Sequence, residues 1–193
     1  MRNASETKAA LRQQLRAEAA RHTGVELAEG SRAICDRLAA QDAWRNARTV
    51  LVYSPLPGEP DLQPLVKSAL EATKTLAFPR FDRSTGAYQI CQVTQPASQL
   101  ISGQFGILEP RLECPVCKLN ELDLALVPGI GFSLNGCRLG RGKGYFDRML
   151  SEVRGWKCGV AFDWQVTVEI PTEPHDIRLN SIVTPSRWHL VRL

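Results

Sequence analysis

The stretch from Thr49 to Phe78 constrains the fold more than any other part of the chain. Thr49-Val-Leu-Val-Tyr53 is a short, nearly continuous run of apolar and β-branched residues, the pattern of a strand covered on both faces. Ser54-Pro-Leu-Pro-Gly-Glu-Pro-Asp61 is too rich in proline and glycine to extend it. Asp61 is placed to cap a helix running through Leu70, and Thr75-Leu-Ala-Phe78 predicts the next strand. Strand, helix and strand in this order make a βαβ unit, which favours a parallel sheet with a right-handed crossover.

The flanking segments extend that outline. Ser5 is placed to cap a helix reaching about His22, with Leu11, Leu15 and Ala19 on one stripe and Lys8, Arg12 and Arg16 on a basic one. Gly24 breaks the chain, and a second helix is expected from about Val25 to Ala40 with Leu27, Ile34 and Leu38 inward. Hairpin signals surround Ser84-Thr-Gly86, followed by a strand from Tyr88 to Val93. Leu122 to Val127 reads as another buried strand, Ser133 to Lys143 as a loop, Gly144 to Val153 as a helix and Lys157 to Phe162 as a strand. Glu173-Pro-His-Asp176 is expected in a Pro-bounded loop beyond the last core strands. The fold class is α/β: one three-layer α/β/α domain over 1–193, with a mostly parallel sheet and loops gathered at the carboxyl ends of its strands.

Composition narrows the function. The 193 residues carry a formal net charge of +4, with 24 Lys and Arg interspersed among 20 Asp and Glu. That bias suits an anionic small molecule and argues against nucleic acid as a partner. No apolar run approaches the roughly twenty residues of a membrane span, and the charged N-terminus has no signal-peptide character, so a cytoplasmic protein is expected. Six dispersed cysteines in such a chain read as free thiols, and Cys114-Pro-Val-Cys117 lacks a second pair to complete a zinc shell.

The chemistry concentrates between Arg138 and Asp147. Gly140-Arg-Gly-Lys-Gly144 alternates glycines, which let backbone N–H groups face a ligand, with basic side chains that bond phosphate oxygens. A helix beginning near Gly144 would aim its positive end at the same anion. The loop is neither a Walker A motif nor a dinucleotide fingerprint. Asp147, in the first turn of that helix, is either a helix-dipole partner or a magnesium ligand, and Asp176 offers a second carboxylate if its loop folds back.

Val127-Pro-Gly-Ile-Gly-Phe132, Arg138-Leu-Gly-Arg-Gly-Lys-Gly-Tyr-Phe-Asp-Arg148 and Glu173-Pro-His-Asp176 together resemble the 5-formyltetrahydrofolate cyclo-ligase family, also called methenyltetrahydrofolate synthetases. Lys8-Ala-Ala-Leu-Arg12 and Gly58-Glu59 fall in the matching order. The resemblance implies a fold akin to the sugar-phosphate isomerase and CoA-transferase group. It also implies a monomeric enzyme that uses ATP as co-substrate and Mg²⁺ as cofactor to convert 5-formyltetrahydrofolate to the 5,10-methenyl form. Carried over residue by residue, it implies ATP contacts from Lys8, Arg12, Arg138, Leu139, Gly140, Arg141, Gly142, Lys143, Gly144, Tyr145 and Phe146. Folate contacts would come from Tyr53, Ser54, Glu59, Arg141 and Tyr145, with Arg141, Lys143 and Tyr145 at the reacting groups and Asp147 and Asp176 on magnesium. Two positions depart from the family pattern: Ser133 replaces Asp and Phe146 replaces Tyr. A sugar-phosphate enzyme on the same scaffold and a ligand-binding regulator without turnover are the rival readings.

Overall fold

The computed structural model describes residues 4–174 and 176–192. Helix α1 (Ala4–Ala19) opens the chain, so Ser5 lies inside its first turn and not ahead of it. Helix α2 (Gly24–Ala39) follows, its start fixed by a capping box in which Glu26 N–H donates to the Thr23 hydroxyl and Thr23 N–H to the Glu26 carboxylate. The short helix α3 (Asp42–Arg45) leads into strand β1 (Thr49–Leu51). Helix α4 (Gln63–Glu71) starts with Leu62 at the cap, and the Asp61 carboxylate accepts the Gln63 N–H at 3.0 Å. Strands β2 (Thr75–Asp82) and β3 (Ala87–Val93) form a hairpin turned at Gly86.

Between β3 and residue 117, where the sequence pattern is weakest, lie helix α5 (Pro96–Gln99), the hairpin strands β4 (Leu100–Ser102) and β5 (Leu108–Pro110), and strand β6 (Val116–Cys117). Strand β7 (Leu124–Val127) is buried along its length. The expected loop from Ser133 to Lys143 is partly structured instead. Strand β8 (Gly131–Ser133) and strand β9 (Arg138–Leu139) pair antiparallel through it, and the Ile130 N–H donates to the Leu139 carbonyl. Helix α6 (Tyr145–Glu152), strand β10 (Trp156–Val160), and strands β11 (Val166–Thr167), β12 (Ser181–Val183) and β13 (Trp188–Leu190) complete the chain. The Glu173–Asp176 block therefore precedes two strands of the main sheet, contrary to expectation. Ser181-Ile-Val183 is short and opens on a polar residue, so its pattern is faint despite full burial.

The main sheet runs β13-β12-β10-β7-β1-β2-β3-β6. From β12 through β2 all pairings are parallel, and β13, β3 and β6 are antiparallel additions at its two sides. Both faces are covered, which explains the unbroken apolar runs. Val50, Leu124, Leu126 and Val160 pack with Ile34 and Leu38 of α2 and Leu65 of α4. Their neighbours Leu51, Ala125, Val127 and Ala161 point the other way, onto Met149 and Leu150 of α6. This period-two division makes the sheet the middle of three layers.

The chain crosses from β1 through α4 to β2 on one side, and from β7 through α6 to β10 on the other. Adjacent strands β1 and β7 thus mark the point where the winding direction reverses, and their carboxyl ends open a crevice. A third apolar cluster joins Leu15 of α1 to Ile130, Cys137 and Leu139 of the β8–β9 hairpin. Burying a leucine contributes roughly 1.5–3 kcal/mol, so Leu15 anchors α1 beside the loop that follows the hairpin. Among the described residues no helix is long and apolar enough to cross a membrane.

Candidate active site

At that switch point lies a cavity of about 420 Å³. Its walls contain Lys8 and Arg12 from α1, Tyr53, Ser54 and Glu59 from the segment after β1, residues 138–147, and Asp176. All the residues singled out from the sequence as candidate contacts are in its lining. His175 lies outside the described residues.

The glycine loop has the backbone its sequence requires. Gly142 has φ +100° and Gly144 φ +66°, the left-handed region in which a side chain is strained. Gly144 caps α6 without a side-chain hydrogen bond, so the first-turn amides are left to a ligand or solvent. The Arg12 Nε–H donates to the Gly140 carbonyl at 2.8 Å. A residue on α1 therefore braces the loop on its far side. Lys143 is exposed and makes no ion pair among the described residues.

Glu173, Asp176, Asp147 and Glu59 are each matched with a cation. Lys8 is 6% exposed and places Nζ 2.7 Å from both Glu173 Oε2 and Asp176 Oδ2. The residue expected to meet phosphate thus holds the acidic loop in place in the ligand-free protein. Burial pulls the Lys8 pKa down, but hydrogen bonds and charge from Asp176 and Glu173 outweigh it and leave it raised. The Arg138 guanidinium reaches Asp147 Oδ2 at 2.8 Å, and Asp147 Oδ1 has no hydrogen-bond partner among the described residues. Arg141 meets Glu59 Oε1 at 2.9 Å while the Leu56 N–H donates to Glu59 Oε2 at 2.9 Å.

The opposite wall is apolar and aromatic. Tyr145 makes edge contacts with Phe81 and Tyr88 at 5.3 and 5.7 Å between ring centres, and the Arg148 guanidinium lies 5.1 Å from its ring. Phe146 packs on Tyr88 and carries the Arg138 guanidinium 5.6 Å from its ring centre. The Tyr53 hydroxyl is committed to the Pro60 carbonyl at 2.9 Å, and burial first, then nearby Glu59, keeps it a neutral phenol. Ser54 donates to the Leu108 carbonyl at 2.7 Å.

The two departures have local consequences. Ser133 is buried, its hydroxyl bonds the Asn135 amide oxygen, and its carbonyl accepts the Gly136 N–H at 2.8 Å. Asn135 thus orders the turn in which Ser133 stands in place of Asp. Phe146 has no hydroxyl for the cavity but retains its ring contacts. Sequence reasoning missed the ion-pair role of Glu173, the aromatic wall of Tyr88, and Glu109. Glu109 carried one signal, a lone acid between leucine and proline in a strand.

The sequence matches the model of the 5-formyltetrahydrofolate cyclo-ligase family over residues 4–185. It is 34% identical over 145 residues to the 5-formyltetrahydrofolate cyclo-ligase of Escherichia coli K12, covering 73% of this chain and 80% of that one. The mouse protein of the same name is 25% identical over 187 residues, 91% of this chain and 90% of that one. The NMR structure of Aquifex aeolicus 5,10-methenyltetrahydrofolate synthetase superposes with a TM-score of 0.87 and 32% identity, over 96% of this chain and 93% of that one. With a family match nearly end to end and the same fold in a solved relative, the chain belongs to the 5-formyltetrahydrofolate cyclo-ligase family, a family of ligases.

Proposed function

We propose that the chain converts 5-formyltetrahydrofolate to 5,10-methenyltetrahydrofolate with cleavage of ATP to ADP and phosphate. The observation that carries this reading is one cavity with two unlike ends that meet at Arg141 and Tyr145. One end is a glycine loop with basic side chains and free helix amides, suited to a polyphosphate. The other is a slot of Tyr53, Pro79, Tyr88 and Tyr145 with Glu59 at its edge, suited to a flat ring carrying N–H donors.

In this reading the N5-formyl oxygen attacks the γ-phosphorus of ATP and the bond to ADP breaks. N10 then attacks the formyl carbon, the carbon–oxygen bond breaks with release of phosphate, and the N10 proton passes to solvent. An amide oxygen leaves poorly, and phosphorylation makes it a competent leaving group. The protein contributes alignment and charge neutralisation. Arg141 and Lys143 face the transferring phosphoryl group, the 138–146 loop with Lys8 and Arg12 holds the nucleotide, and Tyr53, Ser54, Glu59 and Tyr145 hold the folate. Binding requires Glu59 to share Arg141 with the substrates.

The donor set fits magnesium in the form that brings its own waters and phosphates. Among the described residues no three His, Cys, Asp or Glu converge as a protein cage, yet Asp147 and Asp176 are hard carboxylates in the cavity wall. Asp147 and Asp176 would hold the ion, which would neutralise phosphate charge. The reading is of a cytoplasmic enzyme acting as a single-domain monomer. Purified protein with Mg-ATP should release ADP only when 5-formyltetrahydrofolate is present, one ADP per folate converted; ADP release indifferent to folate contradicts the proposal.

A further inference from the structure

Glu109 stands in the wall of the same cavity with no part in the reading above. It lies on β5, opposite Ile101 of β4, and is 6% exposed. Its Oε1 atom is buried without a hydrogen-bond partner among the described residues. The hairpin is shaped around this group, because a Cβ at Gly103 would stand 2.3 Å from Glu109 Oε2. Burial raises the pKa of the carboxyl, opposed by the backbone N–H groups of Gln104 and Phe81 and by the charges of Arg83 and Arg80. An orphaned buried acceptor costs stability, so its presence in a ligand cavity asks what donor it meets there.

Glu59, the other carboxylate facing the ring slot, is engaged at both oxygens, by Arg141 and by the Leu56 N–H. Glu109 is the open acceptor at that end. Its neighbours in the lining, Tyr88, Ile107 and Leu108, present ring and aliphatic carbon. Glu109 also stands close enough to raise the Tyr88 pKa, second to burial. A reduced pterin carries its N–H donors on more than one edge, so one carboxylate cannot reach them all.

We propose that Glu109 Oε1 accepts a hydrogen bond from a ring N–H of the bound folate, making Glu109 a second substrate-positioning carboxylate beside Glu59. The inference rests on the proposed folate substrate. It makes an unusual joint prediction: replacing Glu109 with an apolar residue improves the fold while harming the site.

The test uses the full chain as wild type, Glu109→Leu and Glu109→Gln, with thermal melting of the free proteins and calorimetric titration of 5-formyltetrahydrofolate and, separately, Mg-ATP. E109L is expected to melt at or above wild type and to bind the folate roughly ten- to hundred-fold more weakly. Its Mg-ATP affinity should stay within about threefold of wild type. E109Q keeps an oxygen acceptor in place and should recover most of the folate affinity. Equal folate affinity in E109L overturns the proposal. So does an E109L protein that melts well below wild type, which assigns Glu109 to the fold, or an E109Q protein that binds folate as weakly as E109L. Wild type that binds folate without turnover defeats the proposed reaction and leaves this binding test intact; wild type that does not bind folate defeats both.

Discussion

Removing the Lys8 ammonium should separate its structural part from its expected contact with phosphate. In the ligand-free protein it lies 2.7 Å from one oxygen each of Glu173 and Asp176, with side-chain exposures of 7%, 39% and 16% for Lys8, Glu173 and Asp176. Breaking a buried ion pair by deleting one partner costs about 3–5 kcal/mol, because the other charge is stranded. Glu173 is open to solvent, and Asp176 still accepts the Glu173 N–H at 2.8 Å, so the loss should fall to about 2–3 kcal/mol. For a chain of this size that is a fall in Tm of roughly 5–10 °C.

The pH dependence has a fixed sign. The folded pKa of Lys8 is raised above its ordinary value of 10.5. Its contribution is therefore fully present below that value and is lost as pH rises through the folded pKa. Lys8→Met should lower Tm by the same amount between about pH 6 and 9, and the gap should close in the strongly alkaline range. Magnesium added without nucleotide should recover part of the loss in K8M and shift wild type less, since only the variant lacks the ammonium that competes with the ion for these carboxylates. The assay is calorimetric melting across pH with and without the ion. A K8M protein that melts within about 2 °C of wild type at neutral pH would refute the reasoning.

Three further outcomes follow from the site. Gly142→Ala would meet only ordinary van der Waals contact, the nearest atoms being those of the Arg12 guanidinium at 3.6 Å, so at φ +100° its cost is backbone strain of about 1–2 kcal/mol. Melting should report that loss, and kcat/KM for ATP should drop by roughly tenfold or more as the loop relaxes. Glu59→Gln should leave Tm within about 2 °C, because Arg141 is 45% exposed and the ion pair is weakly stabilising; steady-state kinetics should show a raised KM for folate and an unchanged KM for ATP. Burial lifts the Cys35 and Cys158 thiols to about 11 and about 12, so alkylation of the native protein at mildly alkaline pH should spare both by mass spectrometry, and unfolding should expose them.

What could be read from the sequence, and what could not, divides along the range of the interactions. Strands β1 and β7 are legible because both faces of each are buried and their residues beyond Thr49 must be apolar, and α2 is legible from the inward stripe of Leu27, Ile34 and Leu38. The glycine loop is legible because left-handed backbone at Gly142 and Gly144 admits few other residues. The β8–β9 hairpin is not, because two- and three-residue strands within a Gly-rich segment carry no period. Strand β12 escaped notice because Ser181 interrupts a three-residue pattern that parallel pairing with β10 completes. The ion pairs were beyond reach: Lys8 and Glu173 are separated by 165 positions, and the basic stripe of α1 looks the same whether it faces solvent, phosphate or a buried acid. The signal of Glu109 was ambiguous for a related reason, since an acid in a short strand indicates exposure until the fold buries it.

The most direct measurement is absorbance of the 5,10-methenyl product in a mixture of purified protein, 5-formyltetrahydrofolate, Mg²⁺ and ATP. The chromophore should accumulate with ATP, fail to appear without it, and be lost in Arg141→Ala and Lys143→Ala proteins that melt close to wild type. A well-folded wild-type protein that binds ATP and never produces the chromophore, or one that produces it equally without ATP, contradicts the proposed reaction.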